Sequence, residues 1–238
     1  MPGVLRAIVF DFNGVLVDDE PIHLAALQKV LGEERVALTR EAYYASYVGL
    51  DDRACFATAL AAAGQPAPPE RLARLVARKS AYYQTAMRRQ KYPFFAGAPE
   101  LVTTAAASGL MLGLVSGALR EEVEQALSQA GWRSLFKALV TAEDVAAGKP
   151  DPEGYRRALE EFNSRPPRPD RLVHPHEALA VEDSPAGLEA ASRAGLVTLA
   201  VAHTYGEPEL RGADLVAPGL AGLTLGRLQQ LYLEASRR

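Results

Sequence analysis

Two hydrophobic spacings alternate along this chain. Short unbroken apolar runs rich in Val, Ile and Leu occur at 5–12 (LRAIVFDF), 110–115, 138–140, 178–181, 197–201 and 214–216. Runs of this length, bounded by turn residues, read as strands buried on both faces. Between them, the stretches 98–108, 119–130, 153–162, 185–194 and 220–236 carry helical patterns. Strand and helix alternate through the second half. That order predicts an α/β fold with a Rossmann-like parallel sheet covered by helices on both faces.

Residues 18–92 break the alternation. They hold helical stretches near 21–31, 40–47, 52–63 and 69–89, separated by Gly32, Gly49 and the sequence GQPAPP at 64–69. The expected organisation is an all-helical cap domain over 18–92, inserted after the first strand, with 1–17 and 93–238 forming the α/β core. Pro93 and Gly97-Ala98-Pro99 mark the return to the core. Asp151-Pro152 and Ser184-Pro185 each place a capping side chain before a proline at the first helical position.

Composition removes several classes of function. The 238 residues suffice for a core domain plus a smaller insert. The net charge of −3 comes without a basic run, so no nucleic-acid surface is expected. One cysteine, Cys55, excludes a disulfide within the chain and fits a reducing compartment; its apolar neighbours favour a packing role. No apolar run approaches membrane-spanning length, and the first residues lack a signal-peptide cleavage pattern. The expectation is a cytoplasmic protein, monomeric or weakly homo-oligomeric.

Chemistry concentrates at the carboxyl ends of the expected strands, where open α/β sheets build their sites. Asp11 and Asn13 follow the first strand, and Ser116 and Gly117 the second. Lys149 lies in the loop after the third; Glu182, Asp183 and Ser184 follow the fourth. These types suit phosphoryl transfer. A carboxylate can act as nucleophile. A second can share Mg2+ with it. Hydroxyl, amide and ammonium groups can hold the phosphate oxygens. If the chain stays extended, Asp11 and Asn13 face the same side, and a helix after Gly117 would aim its N-terminus at the anion.

The segments DFNGVLVDDEPIH, VSG, GKPDPEGY and VEDSPAGLEAASRAG, in that order, resemble the four motifs of the haloacid dehalogenase superfamily. The resemblance covers nearly the whole chain, and the helical insert is similar to that family's first type of cap. It points to the beta-phosphoglucomutase and phosphoglycolate phosphatase-like group. By this resemblance Asp11 is the nucleophile, Ser116 the phosphate contact and Lys149 the motif-three lysine. Asp183 is a Mg2+ ligand, with Glu182 as ligand or neighbour and the Asn13 carbonyl as a further ligand. In the cap, His23 matches a histidine of the mutase group. Gly49 and Arg53 resemble the substrate-specificity loop, although Arg53 can also simply pair with Asp51 or Asp52. The implied activity is Mg2+-dependent phosphate hydrolysis or transfer on a small phosphorylated metabolite such as a sugar phosphate.

One position departs from the resemblance. The family's phosphatases and mutases carry a general acid and base, an aspartate, where this chain has Asn13. An amide cannot exchange that proton, which removes about 10²- to 10⁴-fold of rate. Four readings stay open: a substrate whose leaving group needs no proton, a slow phosphatase with water or His23 as substitute, a phosphate binder without turnover, or an engineered substitution. A mutase is a further alternative. The sibling chemistries that lack the second Asp rank lower. The Glu182-Asp183 pair points to a metal, and the cap lysines Lys29, Lys79 and Lys91 lie outside the specificity loop.

Overall fold

The structure, a computed structural model, describes residues 4–48, 50, 52–89 and 91–235, the side chains of 88 and 89 aside. Six strands form one parallel sheet: β1 (Ala7–Phe10), β2 (Met111–Val115), β3 (Phe136–Val140), β4 (Ala178–Glu182), β5 (Val197–Val201) and β6 (Leu215–Ala217). Their order across the sheet is β3-β2-β1-β4-β5-β6. β1 therefore pairs with β2 on one side (Ala7 opposite Met111) and with β4 on the other (Ala7 opposite Ala178). The strand order reverses about β1, and the crevice at such a switch point is where these sheets bind ligands.

The strands are largely apolar because both faces are covered. All four residues of β1 and all five of β4 are buried. On one face, α7 (Glu153–Ser164) packs Tyr155, Ala158 and Phe162 against Val9, Val115 and Val140. Burying each large apolar side chain of this kind stabilises by about 1.5–3 kcal/mol. Two glycines set how closely the layers approach. A Cβ on Gly113 would lie 2.8 Å from the Phe162 ring, and one on Gly154 would lie 2.7 Å from Val115.

The remaining core helices are α5 (Ala98–Ala107), α6 (Arg120–Gln129), α8 (Pro185–Arg193) and α9 (Leu225–Ala235). Ser184 caps α8 as the sequence predicts, its Oγ accepting from the Gly187 amide at 3.2 Å with Pro185 at the first position. Asp151 acts differently from expectation. Its carboxylate accepts the Glu153 amide at 2.9 Å, but α7 starts at Glu153 with Pro152 at the N-cap, so the proline stands just outside the helix.

The chain divides into two compact units, Met1–Asp18 with Pro93–Arg238, and Asp19–Tyr92. The second unit is all helical: α1 (Glu20–Glu33), α2 (Arg40–Ser46), α3 (Asp52–Ala62) and α4 (Pro69–Arg89). It has its own core, in which Leu27, Leu31, Phe56, Leu60 and Leu75 are buried together with Cys55. No helix among the described residues is long and apolar enough to cross a membrane.

Candidate active site

The site begins where β1 stops. The Asp11 amide still donates to the Val181 carbonyl at 2.9 Å, continuing the ladder. The chain then turns: the amides of Leu16 and Val17 both donate to the Phe12 carbonyl, and the Gly14 amide donates to the Val17 carbonyl. The extended geometry expected through Asn13 therefore ends at Phe10. Asn13 lies in the turn, bridged to Val17 and partly buried, so the period-two argument does not place it. Gly14 has φ +76°, and a Cβ there would lie 1.9 Å from Asp183 Oδ2. Only glycine lets this turn pack directly on that carboxylate.

β4 delivers the facing acids. Glu182 is wholly buried; it accepts the Tyr155 hydroxyl and lies 2.6 Å from Lys149 Nζ. A Cβ on Gly187 would fall 2.0 Å from the Glu182 carboxylate, so the first turn of α8 sits against that group. Lys149 also reaches Asp11 Oδ1 at 2.5 Å. Among the described residues, Asp11, Glu182 and Asp183 each offer a carboxylate oxygen, all within 4.8 Å of one another.

Ser116 is buried at the end of β2, its Oγ accepting the Ala118 amide at 2.9 Å. It lines a cavity of about 270 Å³ with Gly117, Thr141, Lys149 and Asp151. The helix expected over 119–130 is present as α6. α6 begins at Arg120, with Leu119 at its N-cap, because the Ser116 hydroxyl holds the intervening turn.

Three carboxylates thus crowd one ammonium, and proton affinities reflect it. Burial pushes Asp11 up to about 7; Glu182 adds to the rise and Lys149 opposes it. Burial also raises Asp183 well above the usual carboxylate range, helped by Asp11 and Glu182. For Lys149, burial favours the neutral amine, but Asp11 and Glu182 outweigh it and hold the ammonium above its ordinary value. The Tyr155 hydroxyl is pushed far up by burial and by Glu182, so it donates and does not ionise.

Two participants went unread in the sequence. Tyr155 falls on the apolar face of α7, where a tyrosine with a polar end to satisfy was the available signal. Thr204, whose hydroxyl bonds Asp183, lies in a loop that gave none.

The helical unit holds a polar network of its own. His23 on α1 stacks on Tyr83, with ring centroids 4.4 Å apart. Lys79 Nζ lies 2.5 Å from His23 Nδ1 and 2.6 Å from Asp52 Oδ1, and His23 Nε2 is 3.2 Å from Asp19 Oδ2. Lys79, expected only as one of three lysines in this unit, is buried among these partners. Asp52 therefore pairs with Lys79, while Arg53 is exposed on α3. Gly49 and Asp51 lie outside the described residues.

A doubly wound parallel sheet with a carboxylate cluster and a half-buried lysine at its switch point marks an α/β protein of the Rossmann-like class with a built acidic site. The chain belongs to the haloacid dehalogenase-like hydrolases, whose family model matches residues 8–201. It is 37% identical over 124 residues to validoxylamine A 7'-phosphate phosphatase of Streptomyces hygroscopicus subsp. limoneus, covering 52% of this chain and 54% of that protein. It is 27% identical over 224 residues to the chloroplastic 5-amino-6-(5-phospho-D-ribitylamino)uracil phosphatase of Arabidopsis thaliana, covering 94% of this chain and 57% of that protein. The chain thus spans little more than half the length of these two curated relatives. Among solved structures, a mutant of CbbY from Rhodobacter sphaeroides, in complex with xylulose-(1,5)bisphosphate, matches with a TM-score of 0.77 and 27% identity, covering 94% of this chain and 99% of that one.

Proposed function

We propose that the chain is a Mg2+-dependent phosphatase of a small phosphorylated metabolite, of the sugar phosphate kind. The observation that carries this is the meeting of Asp11, Lys149, Glu182 and Asp183 at one switch point. The relatives support it: two are phosphatases by name, and the CbbY structure holds a sugar bisphosphate.

In this reading Asp11 attacks phosphorus. The bond from phosphorus to the leaving oxygen breaks as the aspartyl-phosphate forms, and water then hydrolyses that intermediate and restores the carboxylate. Lys149, Ser116 and the amide of Gly117 hold the phosphate oxygens. The donor set fits a hard divalent cation: three buried carboxylates face one ammonium, and burial together with their mutual repulsion raises the proton affinities of Asp11 and Asp183. Asp11, Asp183 and the Asn13 carbonyl would hold Mg2+, with Glu182 beside them. When bound, Mg2+ neutralises charge between the carboxylates and the phosphate. In the helical unit, His23 and Arg53 are the proposed substrate contacts.

The Asn13 side chain neither gives nor takes a proton, so turnover is slow by about 10²- to 10⁴-fold relative to an acid there. The same residue favours a second reading, a phosphate-binding homologue with little turnover. A phosphate-release screen with Mg2+ on wild type, Asp11→Asn and Asn13→Asp separates them. Wild-type activity that Asp11→Asn abolishes supports the enzyme. Activity in Asn13→Asp alone supports the binder. Interconversion of sugar phosphate isomers without phosphate release would show a mutase instead.

A further inference from the structure

We infer that the segment after β5 supplies two positioning residues to the site, His203 for the turn behind Asp11 and Thr204 for the Asp183 carboxylate; this rests on the reading of Asp183 as a metal-binding group. β5 pairs with β4, so its carboxyl end emerges beside that of β4. The His203 amide closes a tight turn on the Val201 carbonyl at 2.9 Å, which changes the chain's direction immediately after the strand.

The His203 ring is fixed on several sides. It stacks on Phe95 with centroids 3.9 Å apart and planes 13° apart. Its Nδ1 lies 2.8 Å from the Gly14 carbonyl oxygen. A carbonyl only accepts, so Nδ1 carries the proton. Gly219 leaves room for the other edge, since a Cβ there would lie 2.7 Å from Nε2. The ring thus anchors the left-handed residue of the turn that carries Asn13 and follows Asp11.

Thr204 meets the same turn from the next position. The point that a Cβ on Gly14 would occupy is 1.9 Å from Asp183 Oδ2 and 2.8 Å from Thr204 Oγ1. The missing side chain of Gly14 therefore leaves the space in which hydroxyl and carboxylate come together. The Thr204 hydroxyl donates to the Asp183 carboxylate. A carboxylate held in this way has its remaining lone pairs directed, and losing such a partner typically costs about 10- to 100-fold in metal affinity.

The test measures Mg2+ binding by calorimetry on the full chain, together with melting temperature in chelator. Thr204→Val keeps the shape and removes the hydroxyl. Its Mg2+ Kd is expected to rise about 10- to 100-fold, with the metal-free melting temperature unchanged and affinity restored in Thr204→Ser. His203→Phe keeps the stack and removes the donor; its kcat for phosphate release is expected to fall with KM unchanged. Wild-type Mg2+ affinity in Thr204→Val overturns the inference. So does a loss of metal-free stability that Thr204→Ser fails to rescue, since that marks a packing role alone. A wild-type protein that neither binds Mg2+ nor releases phosphate removes the parent reading, and this inference with it.

Discussion

Lys149 spans the two sides of the site, its Nζ 2.5 Å from Asp11 Oδ1 and 2.6 Å from Glu182 Oε1. The lysine comes from the loop before α7, Asp11 from the end of β1 and Glu182 from the last position of β4. Both carboxylates are buried, so the ammonium is a structural counter-charge, besides the phosphate-holding role proposed for it.

Lys149→Ala should therefore lose both stability and activity. Removing one partner of a buried ion pair strands the other charge and costs about 3–5 kcal/mol. Urea unfolding should show a lower midpoint, and phosphate release should fall to background. An unchanged midpoint would mean that the two carboxylates take up protons without cost.

The metal-free protein should become less stable as pH rises from about 4 to about 7. Burial, more than Glu182, raises Asp11 from 3.8 to about 7, against the pull of Lys149. A carboxyl raised on folding keeps its proton longer in the folded state. The unfolded chain then binds fewer protons across that window, so stability falls with pH and levels off above it. Asp11→Asn lacks this contribution. Unfolding free energies of the two proteins in chelator, measured across that window and about one pH unit beyond it, should diverge within it; parallel curves would contradict the assignment.

Gly14→Ala should disable the site without unfolding the protein. The left-handed backbone costs about 1–2 kcal/mol for a residue with a Cβ. The larger effect is the contact at 1.9 Å with Asp183 Oδ2, which must move. Phosphate release and Mg2+ affinity should both drop sharply, while circular dichroism stays that of the wild type.

Lys79→Met should destabilise the helical unit. Lys79 is 3% exposed, and its loss leaves His23 Nδ1 and Asp52 Oδ1 without their donor. Unmade hydrogen bonds of this kind cost about 1–3 kcal/mol. Adding Asp52→Asn to Lys79→Met should recover part of that loss in thermal unfolding.

The sequence by itself determined the elements and their order. Unbroken apolar runs such as AIVF at 7–10 and ALAV at 178–181 have no stable place except inside a covered parallel sheet. The helical patterns at 52–63 and 69–89 likewise announce helices that need partners. It also placed Asp11, Ser116, Lys149 and Asp183 after strand ends, which local pattern locates. Tertiary structure alone decided which groups touch. Glu182 binds Tyr155 and Lys149, Asp52 pairs with Lys79, and His203 reaches across 189 residues to Gly14. It also decided that the chain bends after Phe10, so that Asn13 sits in a turn. The physical reason is range. Periodicity records the backbone's local hydrogen bonding and the side it buries, whereas partner choice among polar groups depends on distances set only when the whole sheet and its helices have closed.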